Sequence, residues 1–386
     1  MPQFRHGVYG VTSETGIRPV TISPTGIITI VGTAPDADDA IYPLNTPSLI
    51  AGSPLKAAKL DLTGNREGTL LPAVELILAQ AGSMIVVIRV AEGVNDAETL
   101  TNVIGSTESD GTRRGMEVIY DVQSLIGHKP SILIVPGFSH EQPVVTKLQT
   151  ITERLRSFAF YDCLGTTEAE ANIFRQNFAS KRLEACWPNV ININSEVVPT
   201  SALAAGLRAK IDNISGKEYS ASISNVLVND VLGTEYTIDF TDGDASCLAY
   251  LLNSNQISTV INDGGLRYWG NLTNSSDTKW QFQTHVRVND IILDAITNAL
   301  KWARDRKLNK TFVEDVVETV NNFLAKETRS KNLLGGSAWA DPEMNSADVI
   351  LAGEFYLDYD FTPPGIAQAI NVTSHFVNDY ASAIFE

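Results

Sequence analysis

The sequence predicts a mixed α/β fold: a layered α/β part, then a C-terminal α+β part, with extended strand arms at both ends. Three observations predict it. Apolar runs such as Ile27–Val31 and Met84–Val90 read as strands covered on both faces, the kind found inside parallel sheets. Amphipathic helical stretches alternate with those runs, which is the rhythm of a layered α/β sheet. Near the C-terminus, Glu354 to Phe361 alternates polar and apolar residues without a break, the mark of a half-buried strand.

The elements follow in order. Residues 1–22 hold two strand-like pieces, Val8-Tyr9-Gly10-Val11 and Ile17-Arg18-Pro19-Val20-Thr21-Ile22. Pro19 has no N–H to donate, so the second piece reads as an edge strand or an extended arm. Ile27–Val31 is a buried strand ending at Gly32. Thr69 is placed to cap a helix running to Gly82, with Pro72 tolerated in its first turn. Met84–Val90 is the next strand. Residues 96–128 carry Gly105, Gly111, Gly115 and Gly127 and read as helix pieces and exposed loops. Ser131–Gly137 is a strand. A helix from Pro143 to about Phe158 places Val145, Leu148, Ile151 and Leu155 at helical spacing. Ala159–Leu164 is a strand, and Thr167 caps a helix holding Ile173, Phe174 and Phe178. Val190–Ile193 is a strand, Ser201–Ile211 a short helix, and Ser246–Leu252 another. Thr259–Ile261 and Leu266–Asn271 form a hairpin around Asp263-Gly264-Gly265. A long helix from His285 to Arg306 buries Val288, Ile292, Ala295, Ala299 and Trp302. The capping-box pattern Thr311-x-x-Glu314 opens the last long helix, with Phe312, Val316, Val320 and Phe323 on one face.

The chain has 386 residues, 44% hydrophobic and 19% charged, enough for two or three domains with a sizeable core. A net charge of −16 makes broad binding to a nucleic-acid backbone a poor fit. It also means that self-association needs strong short-range contacts. Cys163, Cys186 and Cys247 are odd in number and widely spaced, so they read as small core residues rather than a disulfide framework or zinc site. The N-terminus lacks the apolar core of a signal peptide. No segment approaches the roughly 18 apolar residues that span a bilayer. Folding in a reducing cytoplasm is therefore expected, without membrane insertion.

The search for chemistry returns little. Gly137-Phe138-Ser139-His140 follows a strand, but it lacks the G-x-S-x-G of a nucleophile elbow. Asp239 to Asp244 lacks the ligand order of a calcium loop, and Asp36, Asp38 and Asp39 read as a solvated loop. His6, His128, His140, His285 and His375 show no ligand spacing. No phosphate-binding glycine motif opens a helix after a strand. No cofactor, metal or catalytic residue is expected.

Two features remain. Phe355, Leu357, Tyr359 and Phe361 share one face of the C-terminal strand. Pro363 and Pro364 then stop its pairing. The tail beyond, Gly365 to Val372, alternates again and is placed to reach a sheet in another molecule. Second, residues 301–331 hold eight basic against five acidic residues, a net +3 inside an acidic chain. That is either a solvated helix–turn–helix face or a docking stripe for an acidic protein.

Several segments, in order along nearly the whole chain, resemble the tail sheath proteins of contractile phage tails and R-type bacteriocins. They are Ala34-Pro35-Asp36-Ala37-Asp38 with Tyr42-Pro43-Leu44-Asn45-Thr46-Pro47, Arg175-Gln176-Asn177-Phe178, Trp187-Pro188, Gly206 to Asp212, Gly265-Leu266-Arg267-Tyr268-Trp269-Gly270-Asn271, and Tyr356 to Pro363. The resemblance implies a structural subunit that stacks as hexameric rings around an inner tube and contracts from a metastable extended state. It implies partners: other copies of the chain, the inner tail tube protein, and the baseplate and tail terminator proteins. It implies assembly in the host cytoplasm and a place in the tail of a virion or particle. Residues 1–22 would be the N-terminal arm, 23–265 the outer and middle α/β domain, 266–361 the inner, tube-facing domain, and 362–386 the C-terminal arm. Strands exchanged between subunits would involve Phe355, Leu357, Tyr359, Phe361, Ile366, Ile370 and Val372, with Val8, Val11, Val20 and Ile22 from the N-terminal arm. From charge and position, not from the resemblance, Lys301, Arg304, Lys307 and Lys310 are the candidates for contact with the tube. Unlike the family's usual tail, residues 365–386 contain no Lys or Arg, so apolar burial would dock this arm. The alternative is a soluble α/β enzyme or nucleotide-binding protein with a swapped C-terminal strand.

Overall fold

The computed structural model describes residues 20–214, 218–378 and 384. Strand β1 (Ile28–Thr33) is buried at every residue, because successive side chains feed opposite cores. Ile28 and Ile30 enter one, while Val31 enters the other. β2 (Pro47–Ala51), the single-turn helix α1 (Pro54–Ala57), α2 (Leu70–Gln80) and β3 (Met84–Val90) follow. Thr69 precedes α2 as expected. Its hydroxyl, however, accepts from the Thr33 N–H at 3.2 Å and ties the helix start to β1 rather than capping the helix's own first turn. Within 96–128 lie α3 (Asp96–Ile104), capped by Asn95, a 3₁₀ stretch over Gly115–Asp121 and α4 (Val122–Ile126).

The alternation then becomes regular: β4 (Ile132–Ile134), α5 (Gln142–Leu155), β5 (Phe158–Asp162), α6 (Glu168–Arg175), β6 (Leu183–Cys186). Thr167 caps α6 by accepting from the Glu170 N–H. Ile173 is 67% exposed, while Phe174 and Phe178 are buried. Next come β7 (Val190–Asn192), β8 (Val197–Val198), α7 (Thr200–Asp212), β9 (Val226–Leu227) and β10 (Val231–Thr234). Then follow α8 (Leu248–Ser254), β11 (Ile257–Asn262) and β12 (Leu266–Trp269).

These strands build a nine-stranded sheet in the order β2-β3-β1-β4-β5-β6-β11-β12-β9. The six from β3 to β11 run parallel. Antiparallel β2 closes one edge, and antiparallel β12 and β9 close the other. β10, β7 and β8 form a separate three-stranded sheet. α2 and α7 cover one face of the main sheet, and α5 and α6 with the 3₁₀ stretch cover the other, which is why the central strands are apolar throughout. The boundary drawn from sequence at residue 265 falls within the β11–β12 hairpin, whose two strands pair in this one sheet. Cys163, Cys186 and Cys247 are free and buried.

The remaining elements are α9 (Gln283–Ala299), α10 (Lys310–Arg329), β13 (Gly335–Trp339), α11 (Ala347–Leu351) and β14 (Asp358–Thr362). α9 ends earlier than the sequence suggests and passes into a 3₁₀ turn over Leu300–Ala303. The cap of α10 is Asn309, whose side chain accepts from the Phe312 N–H at 2.8 Å. It stands two residues ahead of the expected Thr311, which lies inside the helix. A third core gathers Val288, Ile292, Ala295 and Ile296 of α9 with Val320, Phe323 and Leu324 of α10 and Ala338 of β13.

Packing of α2 against α7 depends on Gly206. A Cβ there would sit 3.0 Å from the Ile77 Cα and 3.2 Å from its carbonyl oxygen, backbone that cannot swing away. Gly206→Val should overpack this contact and cost about 1–3 kcal/mol, read as a lower urea midpoint. Gly233→Ala, with nothing within 4 Å of the new Cβ, should leave the midpoint in place.

Candidate assembly interface

Among the described residues β13 and β14 pair antiparallel as a separate two-stranded sheet, from Gly335 opposite Thr362 to Trp339 opposite Asp358. Two strands alone are marginal in water, so the support comes from below. Leu357, Tyr359 and Phe361 are half-buried against the third core. Tyr356, Asp358 and Asp360 between them are exposed, as the alternation requires. Phe355 meets the Phe312 ring of α10 edge-on at 5.9 Å. The strand starts at Asp358 rather than at Glu354. Upstream, the Asn345 side chain takes both the N–H and the C=O of Tyr356, in place of a strand partner.

Pairing ends at Thr362, where Pro363 and Pro364 follow. Residues 363–378 form no helix or strand. Ile366 is half-buried, but Ile370, Val372 and Phe376 are 82%, 87% and 95% exposed. Gln368 donates to the Asn271 Oδ1 at 2.8 Å, a single side-chain tether to the β11–β12 hairpin region. At the other end, Val20 is 5% exposed and packs in the third core beside Val288 and Ile292, with Ile22 at its margin. Neither lies in a strand; apolar burial on α9 seats both against the third core of their own chain. Val8 and Val11 lie outside the described residues.

Lys301, Arg304 and Lys307, between α9 and α10, and Lys310, the first residue of α10, are all exposed. Lys310 stands 3.7 Å from Glu314 one helical turn on. Arg306 lies over the Trp302 ring, 5.3 Å from its centroid, and stiffens the turn.

Sequence reasoning missed the charged face that α9 turns toward the α/β part. Arg287, Asp290 and Asp294 are spaced three and four residues apart, so they share one side of the helix. Asp290 accepts from Arg182, which also donates to Glu153 at 3.1 Å. Arg182 and Asp290 side chains are 6% and 9% exposed. Asp212 of α7 accepts from Arg287 and, at 2.6 Å, from Arg208, all three nearly fully buried. Burial pushes Arg287 down to about 10, against the pull of Asp212, so it stays charged at neutral pH. Asp294 accepts from Lys129 and Arg156. The helical spacing was visible in sequence; the partners were not.

A second buried group sits under β12. Glu184 accepts from the Ser258 hydroxyl at 2.7 Å and the Tyr268 hydroxyl at 2.8 Å. Burial pushes its carboxyl up to about 7 even so. At the C-terminal ends of β4 and β5, the Ser139 hydroxyl donates to Asp162 at 2.8 Å and accepts from the Asp162 N–H at 3.0 Å. Ser201 donates to the same carboxylate. Among the described residues no group of three or more His, Cys, Asp or Glu could hold a metal ion, and no helix is long and apolar enough to cross a membrane.

Asp290→Ala should leave the Arg182 guanidinium buried with half its partners and destabilise the subunit by about 3 kcal/mol, measured by denaturant unfolding. For Glu184, the folded carboxyl titrates above its ordinary value of 4.5. Its contribution to stability is therefore full below pH 4.5 and declines as pH rises toward 7, by roughly 3 kcal/mol. Glu184→Gln keeps an acceptor and removes the charge. The variant should lose less stability than the parent between pH 5 and pH 8.

Three family descriptions match the chain: the phage tail sheath protein central domain over residues 111–274, the phage tail sheath C-terminal domain over 275–376, and the tail sheath protein Gp18 domain III N-terminal region over 25–90. The tail sheath protein of Escherichia phage P2 is 31% identical, over 98% of this chain and 97% of its own. A putative prophage major tail sheath protein of Pseudomonas aeruginosa is 34% identical over 94% of both. Among solved structures, the sheath complex of an extracellular contractile injection system in its contracted state shares the fold. Its TM-score is 0.71 at 16% identity, covering 98% of this chain and 99% of that one. The contracted helical sheath of the anti-feeding prophage does likewise, with a TM-score of 0.71 at 17% identity over 96% and 98%. The chain belongs to the phage tail sheath protein family.

Proposed function

We propose that the subunit polymerises through exchanged terminal strands into hexameric rings, stacked helically around an inner tube, and that the polymer contracts from a metastable extended state. The observation that carries this reading is the pairing of an unfinished two-stranded sheet with a tail that exposes Ile370, Val372 and Phe376 at 82–95%. Each lacks what the other offers: among the described residues the sheet has one side without a partner strand, and the tail has alternating apolar side chains without cover. A head-to-tail contact of this kind does not close on itself, so it propagates into a cylinder. Contraction would then need no nucleotide, since its free energy is the difference between two packings of the same subunits.

The ion-paired seat of α9 supports a body that moves as one piece while the arms act as hinges. The exposed turn bearing Lys301, Arg304, Lys307 and Lys310 is our candidate for contact with the tube, where a basic patch on an acidic subunit would meet acidic residues. Baseplate and terminator proteins would cap the ends, and one similar solved chain comes from an anti-feeding prophage baseplate. The role is structural rather than catalytic. The protein would assemble in the host cytoplasm and reside in the particle's tail.

Deleting residues 365–386 should leave a folded, soluble subunit that no longer forms cylinders in negative-stain microscopy of the concentrated protein. Normal cylinders from the truncated chain would refute the arm assignment. Replacing Lys301, Arg304, Lys307 and Lys310 together by Glu should leave self-assembly intact but strip the tube from co-assembled particles. Particles that keep their tube would show that this turn faces elsewhere.

A further inference from the structure

We infer that the cleft between the α/β part and α9 is a binding site for a small multivalent oxyanion of the phosphate class. The inference stands on the charged seat of α9 and does not need the strand-exchange reading.

The cleft has a volume of about 640 Å³, within the range of small-molecule sites. It is walled by residues 22–25, the turn after α4, the end of α5, and α9 with the turn that follows it. Counted over Lys, Arg, Asp and Glu, its lining is uneven. Lys129, Arg154, Arg156, Arg287 and Lys301 stand against Asp290 and Asp294, five positive charges against two negative. The groups that pair with the lining from behind do not change the excess, since Arg182 and Arg208 come with Glu153 and Asp212. A local excess of cations inside a chain of net charge −16 reverses the balance of the whole molecule.

The shortage of negative charge shows in the bonding. Asp294 is shared by Lys129 and by Arg156, whose Nε donates at 3.0 Å. Asp212 is shared by Arg208 and Arg287. Each of these carboxylates answers two cations with one charge. The Arg287 side chain is 4% exposed. It donates to Asp212 and, at 3.3 Å, to the Thr25 carbonyl, yet its Nε is buried without a partner among the described residues. An unmet donor on a buried cation is costly. Burial holds Lys129 below the ordinary lysine range even with Asp294 beside it, and the charge of Arg156 adds to that lowering. Arg154 has no carboxylate partner among the described residues and lies over the Tyr120 ring, 4.3 Å from its centroid.

The chain's other negative groups do not close the gap. α4 and α5 end at the cleft, and each helix C-terminus supplies at most about half a negative charge, together less than the excess. Residues 1–19 carry Arg5 and Arg18 against Glu14 and bring no net negative charge. A cleft lined by one sign of charge concentrates counter-ions, and the guanidinium forks of Arg154 and Arg156 match the oxygens of a phosphate group. An anion held there touches the end of α5 and the side of α9 at once, so its binding strengthens the seat of the third core on the α/β part.

Pyrophosphate and inorganic phosphate test this on the purified full-length chain, by titration calorimetry and thermal unfolding at an ionic strength held constant with sodium chloride. Pyrophosphate should bind at one site per subunit and raise the unfolding midpoint saturably, and inorganic phosphate should bind more weakly. Arg154→Gln and Lys301→Gln, both at exposed positions, should each weaken pyrophosphate binding by about tenfold, the worth of one charged hydrogen bond. Lys326→Gln, which removes an exposed cation of α10 outside the cleft, should leave the affinity unchanged. Pyrophosphate that does no more than sodium chloride of the same ionic strength would overturn the site, because only screening would then be at work. Binding that survives both cleft substitutions, or that Lys326→Gln weakens as much as Arg154→Gln does, would overturn it too. A poly-glutamate peptide that binds where pyrophosphate does not would replace the small oxyanion by an acidic protein segment.

Discussion

The pairing of β13 with β14 is the contact on which the assembly reading depends. A two-stranded ribbon has more edge than interior, and it persists in water only when something covers one face. Here α9 and α10 supply that cover through Val288, Ile292, Val320 and Phe323. The supply stops there. A larger sheet would have saturated its edges within the subunit. Among the described residues this one pairs on one side only, and the same chain exposes Ile370, Val372 and Phe376. In the proposed polymer, long-range repulsion between copies would be set against short-range backbone pairing and apolar burial. The two fall off over different distances, so copies must be brought into register before attraction wins.

How the third core is seated on the α/β part decides whether it can transmit force. An apolar seat would tolerate sliding, because hydrophobic contact is not directional. The seat is instead built from Arg182 with Asp290, Arg287 and Arg208 with Asp212, and Lys129 and Arg156 with Asp294. Moving α9 by one residue would leave several charges buried without partners, a far larger penalty than a shifted methyl group. The two parts are thus held in a single register.

Much of the α/β part could be read directly. Ile27–Val31 and Met84–Val90 were legible because burial on two faces leaves an apolar run with no other explanation. The alternation from Phe355 to Phe361 was legible because one face is wet. What could not be read depends on distant partners. Asn345 ends the strand character at Tyr356 through a contact that no local propensity encodes. Asn309 displaced Thr311 as the cap of α10 because both types suit the position and only the chain path chooses. Arg287, Asp290 and Asp294 could be placed on one helix face, yet their partners stand 75 to 165 residues away in sequence. Nothing in the sequence singles out Asn321, whose bonds to the Ala338 backbone of β13 exist only once α10 is docked.

The parallel sheet itself raises a question of use. In open α/β sheets, ligands bind beyond the carboxyl ends of the strands, where the strand order reverses. That place exists here, between β1 and β4, at the start of α2. Its polar groups are turned inward. Thr69 is committed to the Thr33 N–H. Ser139 and Ser201 are committed to Asp162, whose carboxyl is pushed up by burial. These bonds join the ends of β1, β4 and β5 to α2 and α7, so groups that could have faced a ligand brace the sheet instead. A fold does not fix a function, and in this subunit the same crevice contributes stiffness. In the proposed contraction, a body that moves as one piece would need its sheet braced at that end.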